Sequence, residues 1–320
     1  MDPFVIDIPS VFRLMLIYGI ILPTRPEKSA EAYRKIWTDR GSPLRFHLED
    51  LTKKVESLLA DENIRVLSAM RYGQPSIREA LHRFKKEGIQ EVVVFPMYPQ
   101  YSLAATESSI CKVREEARAC GFSGNFRIVP AFYSHPQFVD SFGGLATQSL
   151  QDFKYDHLLF SFHGLPERHC KKTDQTGSHC FSSPDCCAVI ADVNRDCYRA
   201  QSFATAHAIA KQMGFTSQDF GRRYSVSFQS RLGRTPWIRP YTDLVFPELV
   251  AQGVKRLAVM CPSFVADCLE TLEEIQIRGR EMFISAGGED LRLVPSLNSS
   301  DSWAEAVCSL KDTAKAPSRA

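Results

Sequence analysis

The chain has 320 residues, enough for two domains of ordinary size. Hydrophobic residues make up 44% and charged residues 24%, which excludes disorder and collagen-like repetition. Lys and Arg number 39 against 37 Asp and Glu, and a net charge of +2 leaves no basic excess for a dedicated nucleic-acid binder.

The N-terminal stretch opens Met-Asp-Pro and holds the longest apolar run, Leu14–Leu22. That run is far short of the roughly 20 residues a bilayer requires. No early basic residue and no small-residue cleavage site accompany it, so it does not read as a secretory signal. On length it is expected as a core helix of a cytoplasmic protein. Residues 1–63 read as helices and loops, punctuated by Pro26 and Gly41-Ser-Pro43. Short β-rich runs then alternate with helical patterns. Strands are predicted at 65–70, 91–95, 126–129, 157–161, 224–228, 256–260 and 291–294. Helices are predicted at 76–86, 103–119, 136–153, 198–212, 268–280 and 302–311. The alternation indicates an α/β fold of parallel sheets covered by helices. Several strands are almost continuously apolar, as burial on both faces requires. Thr313–Ala320 has no periodicity and is expected to fray.

An internal repeat relates the two halves. Ser68–Pro75 resembles Phe228–Pro236, Val94-Phe-Pro-Met-Tyr98 resembles Met260-Cys-Pro-Ser-Phe264, and Ile128-Val-Pro130 resembles Leu293-Val-Pro295. From Pro96 to Pro130 is 34 residues and from Pro262 to Pro295 is 33. Two similar α/β domains with a cleft between them follow, and ligands in such folds bind beyond the carboxyl ends of the strands. Nothing before Arg65 matches the strand at His157–Ser161. A strand is therefore expected to be missing from the N-terminal half, as in a truncated reading of a longer protein.

Three groups of residues carry chemistry. Ser161-Phe-His-Gly-Leu-Pro166 puts His163 at a strand end, where a neutral imidazole accepts protons or ligates a metal. The plain alternative is a hydrogen-bonded histidine at a strand terminus. Asp267, Glu270 and Glu274 recur at i, i+3 and i+7 just past another strand, so one helical face would hold three carboxylates. Like charges so stacked call for a cation or protons. The alternatives are a solvated acidic face and, for Asp267, a helix cap. His plus hard carboxylates suits a passing ferrous or zinc ion. Third, Tyr98, Tyr101, Phe162, Phe228, Trp237 and Phe264 gather at strand ends, as in a broad apolar slot for a flat ligand. Ser102, Thr106, Ser108 and Ser109 follow at a helix entrance, where hydroxyls and N–H groups meet an anionic group. No phosphate-binding Gly-rich motif is present, so no nucleotide is expected.

Five of the ten cysteines lie within 28 residues, at 170, 180, 186, 187 and 197, in the spacing C-x9-C-x5-CC-x9-C. In a reducing compartment such a group reads as iron–sulfur ligation, structural zinc or free thiols. A 2Fe–2S cluster takes four cysteines.

Seven segments in order resemble the ferrochelatase family. They are Pro26–Ile36, Met70-Arg-Tyr-Gly73, Phe95-Pro-Met-Tyr-Pro-Gln-Tyr-Ser102, Ser161–Pro166, Cys197-Tyr-Arg-Ala-Gln201, Phe228–Gly233 with Pro236-Trp237, and Asp267-Cys-Leu-Glu-Thr-Leu-Glu-Glu274. The resemblance implies two Rossmann-like domains and the insertion of Fe²⁺, as substrate, into protoporphyrin IX. It implies His163 and Glu270 as the catalytic, metal-handling pair, with Asp267 and Glu274 extending an acidic path. Tyr98, Ser102, Phe264 and Trp237 would line the porphyrin cleft. Peripheral membrane contact through the N-terminal apolar segment is implied as well, since the substrate is poorly soluble. The cysteine-rich insert resembles that of a bacterial subset with a 2Fe–2S cluster. It implies Cys180, Cys186, Cys187 and Cys197 as ligands, leaving Cys170 over because the family pattern begins at the Cys180 position. The expected domains are 1–138, and 139–298 with the insert at 168–200, followed by a helix and tail at 299–320.

Overall fold

The computed structural model describes residues 2–233 and 235–316. A helical rod opens the chain: α1 (Ser10–Leu16), a π-helical turn over Ile17–Ile21, and α2 (Leu22–Ile36). Val11, Phe12, Leu14, Met15, Tyr18 and Leu22 stand exposed, and no residue of α1 is buried. The Leu14–Leu22 run is thus a surface face and not the core helix its length predicts. An apolar run reports that water is unfavourable, but not which surface covers it.

After α3 (Pro43–Leu58) comes α4 (Ile77–Lys86), started by a reciprocal cap in which the Glu79 N–H donates to Ser76 Oγ and the Ser76 N–H to Glu79. Then follow β1 (Glu91–Val94), a π-helical turn (Leu103–Glu107) leading into α5 (Ser108–Cys120), β2 (Asn125–Ile128) and α6 (Pro136–Ser149). β1 and β2 pair in parallel with Glu91 opposite Asn125. Ile77, Leu81, Val92, Val113, Ala117 and Phe122 close one core over this small sheet.

The second half runs β3 (His157–His163), α7 (Glu167–Thr173), α8 (Tyr198–Gln212), β4 (Tyr224–Gln229), α9 (Thr242–Ala251), β5 (Arg256–Met260) and α10 (Leu269–Thr271). A π-helix (Leu272–Gly279), α11 (Arg280–Ser285), β6 (Asp290–Leu293) and α12 (Asp301–Leu310) complete it. The strands form one parallel sheet in the order β4–β3–β5–β6. Leu158, Leu159, Phe160 and Phe162 of β3 are each 0% exposed, because helices cover both faces. Leu159, Val245, Phe246, Ile275 and Phe283 share a core on one face, while Phe160, Phe162, Ala206 and Ile209 belong to the larger core on the other. This is the expected layered α/β arrangement.

Hydrogen bonds bear out the repeat and correct its alignment. The Met70 N–H donates to Pro75 O (2.7 Å) just before α4, and the Phe228 N–H donates to Pro240 O (2.8 Å) just before α9. Pro75 therefore corresponds to Pro240 and not to Pro236. The loop after β4 is longer than its counterpart, and the added residues carry Trp237. Residues 65–70 are the counterpart of β4, yet no strand forms there beyond an isolated Met70–Ser76 bridge. β4 is a strand because β3 lies beside it, and 65–70 has no such neighbour among the described residues. The tail also departs from expectation. Lys315 exchanges backbone hydrogen bonds with Ile128 on the edge of β2, so the chain is held to that point. Residues 317–320 of the predicted fray lie outside the described residues. Among the described residues no helix is long and apolar enough to cross a membrane.

Candidate active site and cysteine-rich insert

His163 is the last residue of β3 and pairs in register with Gln229, the last of β4. Its backbone is gripped twice: its N–H donates to Ser263 Oγ (3.1 Å), and its carbonyl accepts from the Tyr198 hydroxyl (2.9 Å). The ring is fixed as well. Nδ1 lies 2.6 Å from Gly164 O, and a carbonyl only accepts, so Nδ1 carries the proton. Nε2 is then left with the free lone pair of a base. The Phe264 ring stands edge-on to the imidazole at 6.1 Å.

The segment after His163 is paired by the loop after β4. The Ile238 N–H donates to Leu165 O (2.9 Å), the Glu167 N–H to Pro236 O (3.0 Å), and the Trp237 indole N–H to Leu232 O (2.8 Å). Gly164 sits in the close approach this produces. A Cβ there would meet Gln229 O at 2.6 Å and the Trp237 ring at 3.2 Å.

The acidic segment is not one helical face. Asp267 precedes α10, and its carboxylate, 7% exposed as a residue, accepts from Asn298 Nδ2 (2.7 Å), Thr271 Oγ1 (2.9 Å) and the Ser296 N–H (3.3 Å). It holds a loop, much as the capping alternative supposes. Glu274 accepts from both the N–H and the hydroxyl of Ser230. Glu270, half-buried in the first turn, has the Gln229 amide on its carbonyl (2.8 Å). Its carboxylate is close to Cys268, whose thiol is pushed well up by burial and by that charge. The Tyr33 hydroxyl is likewise pushed up by burial and by Glu270, which places α2 over the same turn. Lys35 of α2 pairs with Glu273 at 3.5 Å.

Tyr98 and Ser102 lie in the loop after β1. That loop meets its repeat counterpart, since Gln100 Nε2 lies 3.5 Å from Pro262 O and 2.9 Å from Thr205 Oγ1 of α8. Tyr98 is half-buried. Ser102 is buried and its hydroxyl accepts from the Ala105 N–H (3.1 Å), so it caps the π-turn. His163, Phe264 and Trp237 are thus brought together, and Glu270 is tied to the same strand end. Tyr33, Tyr198 and Gln229 escaped the sequence reading, because nothing in their local pattern tells a site residue from a core one.

The insert is organised by polar anchors. Asp174 accepts from the N–H groups of Thr176 (3.0 Å), His179 (2.8 Å) and Cys180 (2.8 Å), which holds its carboxyl well below the usual range. Asn194 donates to Cys186 O (3.0 Å) and Val189 O (2.9 Å). A turn at 183–188 puts the neighbouring Cys186 and Cys187 sulfurs 3.7 Å apart. Burial, then Cys197 beside it, pushes the Cys180 thiol up to about 12. Contact with the Cys170 sulfur, foremost, pushes Cys197 up to about 11. Cys187 is raised by contact with Cys197 and by burial. The thiols gather around Cys197. Among the described residues, however, no three His, Cys, Asp or Glu side chains stand where they could hold a metal ion, in the insert or at the strand ends.

The ferrochelatase family model matches residues 1–314. A ferrochelatase of Azotobacter vinelandii is 46% identical over 311 residues, 97% of this chain and 90% of that one. A ferrochelatase of Coxiella burnetii is 43% identical over 309 residues, 97% of this chain and 84% of that one. Among solved structures, SirB from Bacillus subtilis with Fe3+ aligns with a TM-score of 0.53 at 14% identity, covering 86% of this chain and 92% of that one. That last likeness concerns the fold.

Proposed function

The chain belongs to the ferrochelatase family, and from that premise we propose how it inserts ferrous iron into protoporphyrin IX in haem synthesis. The observation that carries the reading is the His163 ring, whose Nδ1–H is committed to Gly164 O so that Nε2 is free to accept a proton. A free porphyrin holds two N–H protons that must leave as the metal enters. His163 takes these protons one at a time on the porphyrin side, handing the first on before it accepts the second. Glu270, tied to the same strand end through Gln229, passes metal in or protons out, with Asp267 and Glu274 along the route. Because both of those carboxylates already accept hydrogen bonds, their part is to hold the negative field of the route. Phe264 and Trp237 offer apolar faces to the macrocycle, and Tyr98 and Ser102 border it from the loop after β1. Binding the large apolar face offsets the cost of bending the ring until its nitrogens are exposed. Two α/β domains, 1–138 and 139–298, with the cleft between their strand ends, fit this reading.

Anaerobic incubation with protoporphyrin and Fe²⁺ or Zn²⁺, followed by absorbance, is the test. Metalloporphyrin bands are expected. A shifted free-base spectrum with no metallation would make the chain a tetrapyrrole binder instead.

Two finer assignments belong to the same proposal. Cys180, Cys186, Cys187 and Cys197 would hold a 2Fe–2S cluster; the donor set matches in number and in its half-buried to buried setting, but no three of these thiols stand close enough here to share a metal, so loading requires them to draw together, and Cys170 touches Cys197 from outside the set. A bound cluster supplies one-electron chemistry and a cross-link of the insert. The exposed face of Val11, Phe12, Met15 and Tyr18 would dip into a membrane surface, from which a poorly soluble porphyrin arrives. Flotation with anionic liposomes tests this: protein remaining at the bottom at physiological salt counts against it.

A further inference from the structure

Gln229 stands at the crossing of every element that carries the proposed His163–Glu270 pair. It is 3% exposed. Its backbone closes the β3–β4 ladder opposite His163, and its carbonyl accepts the Gly164 N–H at 2.8 Å. Its side-chain Nε2 donates to Glu270 O at 2.8 Å. Oε1 accepts from the Ser161 hydroxyl at 2.7 Å and from the Cys261 thiol at 3.7 Å.

The amide has one possible orientation, because the Glu270 carbonyl has no proton to give. That choice sets the direction of a whole buried chain. Ser161 spends its proton on Gln229, so Thr242, 2.9 Å away, donates to Ser161. Ser227, 2.8 Å from Thr242, then donates to Thr242. Ser161, Ser227, Thr242 and Gln229 are all buried between strand and helix. Hydrogen bonds running one way polarise one another, and the chain ends on the Glu270 peptide. The next residue, Ser230, adopts a left-handed backbone (φ 64°) and turns its N–H and hydroxyl onto Glu274.

Glu270 needs such an external grip. Its turn is capped within itself by Cys268 and Thr271, but after three residues it passes into a π-helix, and neither the cap nor the π-ladder ties it to the sheet that carries His163. We infer that Gln229 is a positioning residue that sets the separation of Glu270 from His163, holding one through its side chain and the other through its backbone. The inference rests on the reading of that pair as the reacting groups. Misplacing such a group by about 1 Å costs on the order of 10²-fold in rate.

Gln229→Met keeps the length and removes all three side-chain hydrogen bonds. It is expected to lower kcat for zinc insertion at least about tenfold while KM for porphyrin stays within about twofold. Gln229→Glu separates positioning from mere stability. Only a protonated carboxyl can donate to Glu270 O, so kcat should gain a new limb that falls as pH rises through the introduced group's pKa. Thr242→Val breaks the chain one link beyond Ser161 and leaves the bonds of the Gln229 side chain in place; it should lower Tm but keep kcat within about threefold. Native kcat in folded Gln229→Met, or an equal kcat loss in Thr242→Val, overturns the inference. Should Gln229→Met fail to fold, absence of the new limb in Gln229→Glu overturns it. An inactive wild-type protein would sink the functional reading itself, a separate result.

Discussion

The strand-end site and the cysteine-rich insert both gather reactive side chains, but by different means. At the strand ends the regular backbone does the placing. His163 and Gln229 are opposite each other because β3 and β4 are in register, and Ser263 and Phe264 follow from the end of β5. There Gly164 O fixes the His163 ring, and the Gln229 amide holds the backbone of Glu270. In the insert no ladder places anything, and Asp174 and Asn194 hold the loops by accepting and donating backbone hydrogen bonds. The sulfurs have one another as neighbours, and several are raised as a result. One region is oriented by a ladder and the other by single polar anchors, so a substitution in either should act on that region alone.

The largest expected effect lies on the strand-end side. His163→Ala should cut metal insertion by about 10²–10⁴-fold, the usual worth of a general base. Porphyrin binding and the visible spectrum of the insert should be unchanged. Retention of more than a tenth of the activity, measured by zinc-porphyrin fluorescence, would remove the base from His163.

Next in size is Gly164→Ala. The new methyl would meet a backbone oxygen at 2.6 Å, which cannot swing away as a side chain can. Overpacking of this kind costs about 1–3 kcal/mol, so both Tm and kcat should fall. An alanine variant with native Tm and native kcat would show that the β3–β4 end is looser than its hydrogen bonds indicate.

Cys187→Ser tests the independence of the two regions. Protein made anaerobically should lose its visible absorption and its two irons with two acid-labile sulfides. Zinc insertion should stay within about threefold, since His163 and Glu270 lie outside the insert. A colourless wild-type protein with stoichiometric zinc would reassign the insert, and a joint loss of colour and chelation would join the two regions.

The smallest effect is a pH dependence. Cys180 and Cys197 hold their protons up to about 12 and about 11 in the fold, against about 8.5 for an unfolded thiol. Between those limits the folded state binds more protons than the unfolded one, so stability falls as pH rises. Metal-free protein should therefore show a lower urea midpoint at pH 10 than at pH 8. Ligated thiolates carry no protons to lose, so the loaded protein should lack that slope. Equal slopes in the two forms would mean that these thiols are not the ligands.

The same division explains what could be read in advance. The strands 157–161 and 256–260 and the helix 198–212 are near-continuous or periodic, and the fold follows those signals closely. The placing of His163 and Glu270 at and beyond strand ends was legible because each follows a predicted strand. The part of Gln229 was not, since a glutamine at a strand end has no local signature, and its side-chain partners Cys261, Glu270 and Ser161 lie 32, 41 and 68 positions away in the chain. The carboxylate face failed for a related reason. Periodicity assumed a regular helix, and Asp267 instead precedes a short turn and a π-helix.

Sequence alone determined the alternation of strand and helix, the repeat, the family and the residue types at the strand ends, because these depend on local pattern and order. Tertiary structure decided the rest. Whether 65–70 becomes a strand depends on a neighbour, since a ladder takes two chains. Whether Leu14–Leu22 is inside or outside depends on what packs over it, and the exposed face of α1 is the answer. Which nitrogen of His163 carries the proton depends on a carbonyl placed against it by a turn held from β4. Each of these is a relation between segments distant in the chain, and the energy that fixes it exists only once they meet.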